Sequence, residues 1–167
     1  PPVSRFAFTV PPGAAGTLAG TYYRNLTIAP DGSRIVISTA NGFLVRRRDS
    51  LAFEEVNAGA TQFPFFSPDG QWVGFFDGNS LLKKVAIAGG PPVTISEVDG
   101  GGPRGATWGP DGTIVFATNL LATGLQRVSF AGGTAVSLTT PDRQNGEGDH
   151  LWPEFLPAGN AVLFTVV

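Results

Sequence analysis

The residues best equipped for chemistry gather in one stretch, Asp142-Arg143-Gln144-Asn145-Gly146-Glu147-Gly148-Asp149-His150, which holds three carboxylates and the chain's only histidine. Oxygens from Asp142, Glu147 and Asp149 would suit a hard cation such as calcium, although their spacing lacks the regular alternation of a calcium-binding loop. Zinc fits less well, because one histidine and no cysteine leave too few nitrogen and sulfur donors. Asp149 beside His150 could orient a general base, yet no Gly-x-Ser-x-Gly elbow supplies a nucleophile. Glu147 and Glu154 could act together on a glycoside only at a separation that sequence does not give. The stretch therefore reads as a solvated loop, with the three carboxylates as a minor metal alternative. No catalytic residue and no cofactor is expected. The run Gly100-Gly101-Gly102 is no phosphate cradle either, since neither a helix nor a lysine follows it.

A second set of polar residues is defined by position within a repeat. Ala29-Pro30-Asp31-Gly32, Ser67-Pro68-Asp69-Gly70, Gly109-Pro110-Asp111-Gly112 and the degenerate Leu156-Pro157-Ala158-Gly159 recur with 38, 42 and 47 residues between prolines. That period is the length of a four-stranded propeller blade. Ala88-Gly89-Gly90 and Ala131-Gly132-Gly133 form a second landmark, 43 residues apart. Six or seven residues before each turn proline stand Tyr23 and Arg24, Thr61 and Gln62, Pro103 and Arg104, His150 and Leu151. In a propeller those positions approach the mouth of the central channel. Arg24, Gln62, Arg104 and His150 are thus the candidate ligand-binding set. Arginine there offers bidentate hydrogen bonds to a carboxylate or phosphate.

The elements that must position these residues are set by the turn chemistry. Proline presets φ at the first corner, aspartate caps the turn through its side chain, and glycine takes the left-handed position. Apolar strands are expected before each turn (26–28, 63–66, 106–108, 152–155) and after it (34–38, 72–76, 113–117, 161–166). Third strands are expected at 43–47, 81–86 and 125–129, and fourth strands at 53–56, 93–96 and 135–138. The blades then span residues 22–57, 58–99 and 100–140, with half a blade over 141–167. Phe65, Phe75, Trp108, Phe116, Trp152 and Phe155 recur at matching positions and are expected to pack between blades.

Composition agrees with an all-β reading. Glycine (23) and proline (14) make the chain turn-rich, and 42% hydrophobic with 14% charged residues suits an ordered fold. A net charge of −2 argues against a nucleic-acid surface. The one basic cluster, Arg46-Arg47-Arg48, would alternate faces on a solvated outer strand or meet an acidic partner. No apolar run approaches the length needed to cross a bilayer, so no membrane insertion by this segment is expected.

Phe66-Ser67-Pro68-Asp69-Gly70-Gln71-Trp72-Val73, with Leu82-Lys83-Lys84-Val85 and Ala88-Gly89-Gly90, resembles the WD-repeat-like blades of TolB-type propellers. More narrowly, the stretches from Gly105 to Phe116 and from Gly146 to Pro157 are similar to propellers attached to bacterial serine/threonine protein kinases. The resemblance implies a six-bladed parent, a sensing or binding role on the extracytoplasmic side, and an unknown protein or small-molecule ligand. No kinase signature stands in the chain itself: the Gly-rich loop with its lysine, His-Arg-Asp and Asp-Phe-Gly are all missing from the sequence. The runner-up is a substrate-gating propeller of a hydrolase. Arg5-Phe6-Ala7-Phe8-Thr9-Val10 resembles a ring-closing strand, and the apolar segment 161–167 reads as the edge of an unfinished sheet. Self-association through open blade edges is the expected consequence.

Overall fold

The structure, a computed structural model, describes Thr9, Pro11 and residues 24–167. Apart from Thr9, the expected closing strand over residues 5–10 lies outside the described residues, as does Tyr23.

Each Pro-Asp-Gly triplet folds as its chemistry requires. The Oδ1 atoms of Asp31, Asp69 and Asp111 accept the backbone N–H of Ser33, Gln71 and Thr113 at 2.9, 3.0 and 2.9 Å. The following glycines, Gly32, Gly70 and Gly112, take φ of 70°, 67° and 82°. These turns join the first two strands of successive antiparallel sheets. The first blade is β1 (Leu26–Ile28), β2 (Arg34–Thr39), β3 (Gly42–Arg47) and β4 (Phe53–Asn57). The second is β5 (Gln62–Phe66), β6 (Trp72–Asp77), β7 (Leu81–Ala86) and β8 (Val93–Glu97). The third is β9 (Pro103–Trp108), β10 (Thr113–Thr118), β11 (Gln126–Ser129) and β12 (Val136–Ser137). A two-stranded sheet of β13 (His150–Phe155) and β14 (Val162–Val166) completes the described chain. Among the described residues no strand pairs with the other edge of β14.

The core lies between blades. Phe43 of the first blade meets Phe75 of the second edge-on at 5.3 Å, surrounded by Val36, Val45, Val56, Val73 and Val85. Phe76 of the second meets Phe116 of the third at 6.0 Å, among Leu82, Ile95, Ile114 and Val128. Val115, Ala117 and Leu125 then pack against Leu151, Phe155 and Phe164. Each fully buried aromatic or branched side chain contributes about 1.5–3 kcal/mol by leaving water, so the seams rather than single sheets hold the array together.

Three expectations change in detail. The inner strands of the later blades begin earlier than their apolar residues, at Gln62, Pro103 and His150, because pairing resumes on the far side of a bulge in each. The fourth strand of the third blade shrinks to Val136–Ser137, both exposed, since only Gln126 and Arg127 pair with it. The basic cluster is no solvated strand: Arg46 is buried, while Arg47 and Arg48 are exposed. Arg47 holds Asp49 through two bonds, Nε at 3.0 Å and Nη2 at 2.8 Å.

Candidate binding site on the inner strands

The innermost strands β1, β5, β9 and β13 together wall a cavity of 640 Å³. Leu26, Ile28, Phe65, Phe66, Trp108 and Phe155 supply apolar wall, and the turn prolines Pro30, Pro68, Pro110 and Pro157 line it as well. Leu26 and Ile28 are 38% and 53% exposed, so the β1 side of this wall faces open space, while Phe65, Phe66 and Trp108 are buried. One ion pair stands within it: Arg24 Nη1 lies 4.0 Å from Glu154 Oε2. Arg24 stands just before β1 and Glu154 in β13 of the last sheet, so the pair reaches across the cavity. Both side chains are largely exposed, and such a solvated pair contributes little to stability.

The cavity is shaped by a backbone feature that repeats. β5, β9 and β13 each carry one more residue than the strand they pair with, a β-bulge between Gln62 and Phe65, between Pro103 and Ala106, and between Leu151 and Glu154. Within each bulge, the residue five places before the turn proline has positive φ: Phe63 at 50°, Gly105 at 96° and Trp152 at 56°. A left-handed aromatic residue is strained by about 1–3 kcal/mol and persists only where its surroundings hold it. Here the holding contact is between the two aromatics. The Phe63 and Trp152 rings lie 5.8 Å apart, though they come from the second blade and the last sheet. They meet over Gly105 of the blade between. A Cβ on Gly105 would stand 3.2 Å from the Trp152 ring and 3.3 Å from its Cα. Large, absent and large side chains at one repeat position thus close the inner strands together at one end.

The structure distributes the four expected ligand residues differently from one another. Arg24 lines the cavity; Gln62, Arg104 and His150 do not. Gln62 opens β5 opposite Phe76, half-buried. Arg104 is half-buried and donates from Nη1 to the Pro103 carbonyl at 2.8 Å. Among the described residues no hydrogen bond or ion pair joins any two of the four.

His150 is buried, with both ring nitrogens engaged. Nδ1 is 2.8 Å from Thr139 Oγ1, and Nε2 is 3.0 Å from Glu147 Oε2. The ionised Glu147 carboxylate can only accept, so Nε2 carries the proton that faces it, while Thr139 Oγ1, which accepts the Leu125 N–H at 2.9 Å, lies against Nδ1. The ring packs on Phe164 at 4.9 Å. His150 therefore fastens the final sheet to the third blade, and its position before the turn reaches the seam instead of the mouth.

The three loop carboxylates do not converge either. Asp142 accepts from Gln144 N, Asn145 N and Asn145 Nδ2; Glu147 accepts from Asp142 N at 2.7 Å; buried Asp149 accepts from His150 N at 2.8 Å. Their oxygens serve the loop's own donors. Among the described residues no three His, Cys, Asp or Glu side chains stand close enough to hold a metal ion. The Asp142 N–H, and then His150, hold the Glu147 carboxyl below its ordinary pKa.

Sequence reasoning did not single out Phe63 or Gly105, took Trp152 only as a ring packed between blades, and weighed Glu154 only as a partner of Glu147. The signal that could have found the first three was the repeat position five residues before each turn proline, where two aromatics flank a glycine in successive blades.

No protein-family model matches the chain, and no curated protein matches it by sequence. Solved structures do match. TolB from Acinetobacter baumannii superposes with a TM-score of 0.65 at 16% identity, covering 84% of this chain and 36% of that one. An oligogalacturonate lyase in complex with manganese gives 0.67 at 12% identity, covering 86% and 46%. The β-propeller domain of Myceliophteria thermophila Cps50 (Swd1) gives 0.64 at 11% identity, covering 88% and 50%. The chain thus spans between about a third and a half of the length of these structures. With four-stranded antiparallel sheets arrayed about shared inner strands, the fold is that of a β-propeller, and the chain carries part of one.

Proposed function

We propose that this chain is a non-catalytic binding segment of a bacterial propeller sensor, taking its ligand against the inner-strand cavity. The observation that carries the reading is that cavity itself. Its wall is largely apolar and is exposed at Leu26 and Ile28, and its one ion pair, Arg24 with Glu154, is weakly held. A ligand with an apolar body and a charged end fits such a surface, because either partner of a solvated pair exchanges readily for a ligand charge. An extended peptide segment has that chemistry. The link to a serine/threonine kinase rests on the resemblance of residues 105–116 and 146–157 and assigns the chain a sensing role, with the chemistry done elsewhere.

The test is selection of a random peptide display library on the immobilised chain, followed by affinity measurement of the selected peptides. Ile28→Glu places a charge on an exposed cavity wall without opening the core, and is expected to weaken binding by about tenfold, equivalent to about 1.4 kcal/mol. Arg24→Ala should discriminate against peptides carrying a carboxylate at one end. Selected peptides indifferent to both substitutions, or a library from which nothing is enriched, would overturn the proposal.

A further inference from the structure

The seam between the second and third blades holds another cavity, of 280 Å³, on the face where the Pro-Asp-Gly turns lie. Trp72, Trp108 and Phe130 form its aromatic wall, and Asp69 and Asp111 stand in its lining. Both blades that build it have all four strands. We propose that this cleft receives an arginine side chain of a partner protein, its guanidinium against the rings and facing the two carboxylates. The cleft shares Pro68, Trp108 and Pro110 with the inner-strand cavity, but its proposed occupant is argued from residues the other cavity lacks, Asp69, Trp72, Asp111 and Phe130.

The rings are placed for a cation. Trp108 and Phe130 have centroids 5.8 Å apart at 37°, and Phe130 is 43% exposed, so its ring is no buried packing element. The chain already sets one ammonium against this wall. Lys84 Nζ lies 5.0 Å from the Trp72 ring centroid and 4.7 Å from that of Phe130, and donates to the Phe130 carbonyl at 2.8 Å. Lys84 does not line the cleft, so that ammonium shows what the rings attract without occupying the site.

The charge is complementary to the proposed occupant. Asp69 Oδ1 accepts from Ser67 Oγ at 2.5 Å and Gln71 N at 3.0 Å, which leaves Oδ2 without a donor among the described residues. Asp111 is bonded by Thr113 through both N–H and Oγ1. These bonds favour the ionised form of each carboxylate, so two negative charges face the cleft against the single charge of Lys84. A planar guanidinium suits the combination better than an ammonium, because it stacks on a ring face while presenting its edge to carboxylates.

Blade packing accounts for Trp108 but does not by itself demand Trp72 and Phe130. In register, Ile35 pairs with Ile28 and Val73 with Phe66, so Arg34 of the first blade stands where Trp72 stands in the second. Phe130, two places before Gly132-Gly133, likewise corresponds to Ile87, two before Gly89-Gly90. The seam between the first and second blades keeps an aromatic at Phe66, the counterpart of Trp108, but has Arg34 and Ile87 in place of the other two rings.

The experiment is titration of the intact chain with Nα-acetyl-arginine amide, following the indole N–H signals of Trp72 and Trp108 by NMR, alongside the uncharged citrulline amide. Saturating shifts with arginine and binding weaker by about fivefold or more with citrulline are expected, as for desolvated cation–π contacts. Asp69→Asn with Asp111→Asn keeps the turn-capping oxygens while removing both charges, and should weaken arginine binding by a similar factor; Phe130→Ala tests the ring separately. Equal binding of citrulline, wild-type affinity in the double asparagine variant, or no saturable shift with arginine would overturn the assignment.

Discussion

At Gly105 two constraints coincide: φ of 96°, and a Trp152 ring 3.2 Å from where a Cβ would be. Gly105→Ala should therefore lower stability by about 1–3 kcal/mol, read from the urea midpoint, through backbone strain and displacement of the indole. A midpoint unchanged from wild type would remove Gly105 from its role beneath the aromatic bridge. Glu147 gives a pH-dependent prediction. Its folded-state pKa is depressed below the ordinary 4.5, first by the Asp142 N–H and then by His150. Ionised Glu147 thus stabilises the fold fully above its unfolded value, and that contribution disappears as pH falls through the folded one. Glu147→Gln should flatten the loss of stability on acidification below pH 4.5, measured by denaturant titration at successive pH values. An acid limb as steep as wild type would contradict this account of the Glu147–His150–Thr139 clasp.

The strands were legible because the turns announce themselves. Pro30, Pro68 and Pro110 with the Asp and Gly next to them fix where the chain reverses, and apolar runs on either side supply the pairing strands. The bulges were not legible. Positive φ falls on Phe63 and Trp152, residue types whose local preferences argue against it, so tertiary packing of the rings, Phe63 on Trp152 and on Phe76, selects that conformation. The same limit explains the site residues. Counting back from each turn reaches Arg24, just before β1, but the extra residue in each later inner strand re-aims its neighbours, and burial beside Phe164 turns His150 into the seam. The expected role of Trp108 is met in full: it is 8% exposed, packs against Phe65 at 6.3 Å, and belongs to the core between the second and third blades. Trp108→Ala should cost about 3–5 kcal/mol by calorimetry or denaturant titration, as large-to-small core changes do. A change under ~0.5 kcal/mol would be out of keeping with a core ring.

At the scale of the whole molecule, adjacent blades could stack in a flat or open array and still bury Phe43 on Phe75 and Phe76 on Phe116. A propeller is distinguished by curvature about a common axis, which brings the inner strands of non-adjacent blades within reach and creates the cavity on which the proposed binding depends. The Phe63–Trp152 contact, spanning the blade between them, reports that curvature. Its measurement by nuclear Overhauser effects in solution, with the Phe76–Phe116 contact as internal reference, is the most direct test. Cross-peaks between the Phe63 ring and the Trp152 indole, retained on dilution, are the predicted result. Their absence while Phe76 and Phe116 still show theirs would mean that the blades pack without closing around a shared wall, and would contradict the inner-strand site.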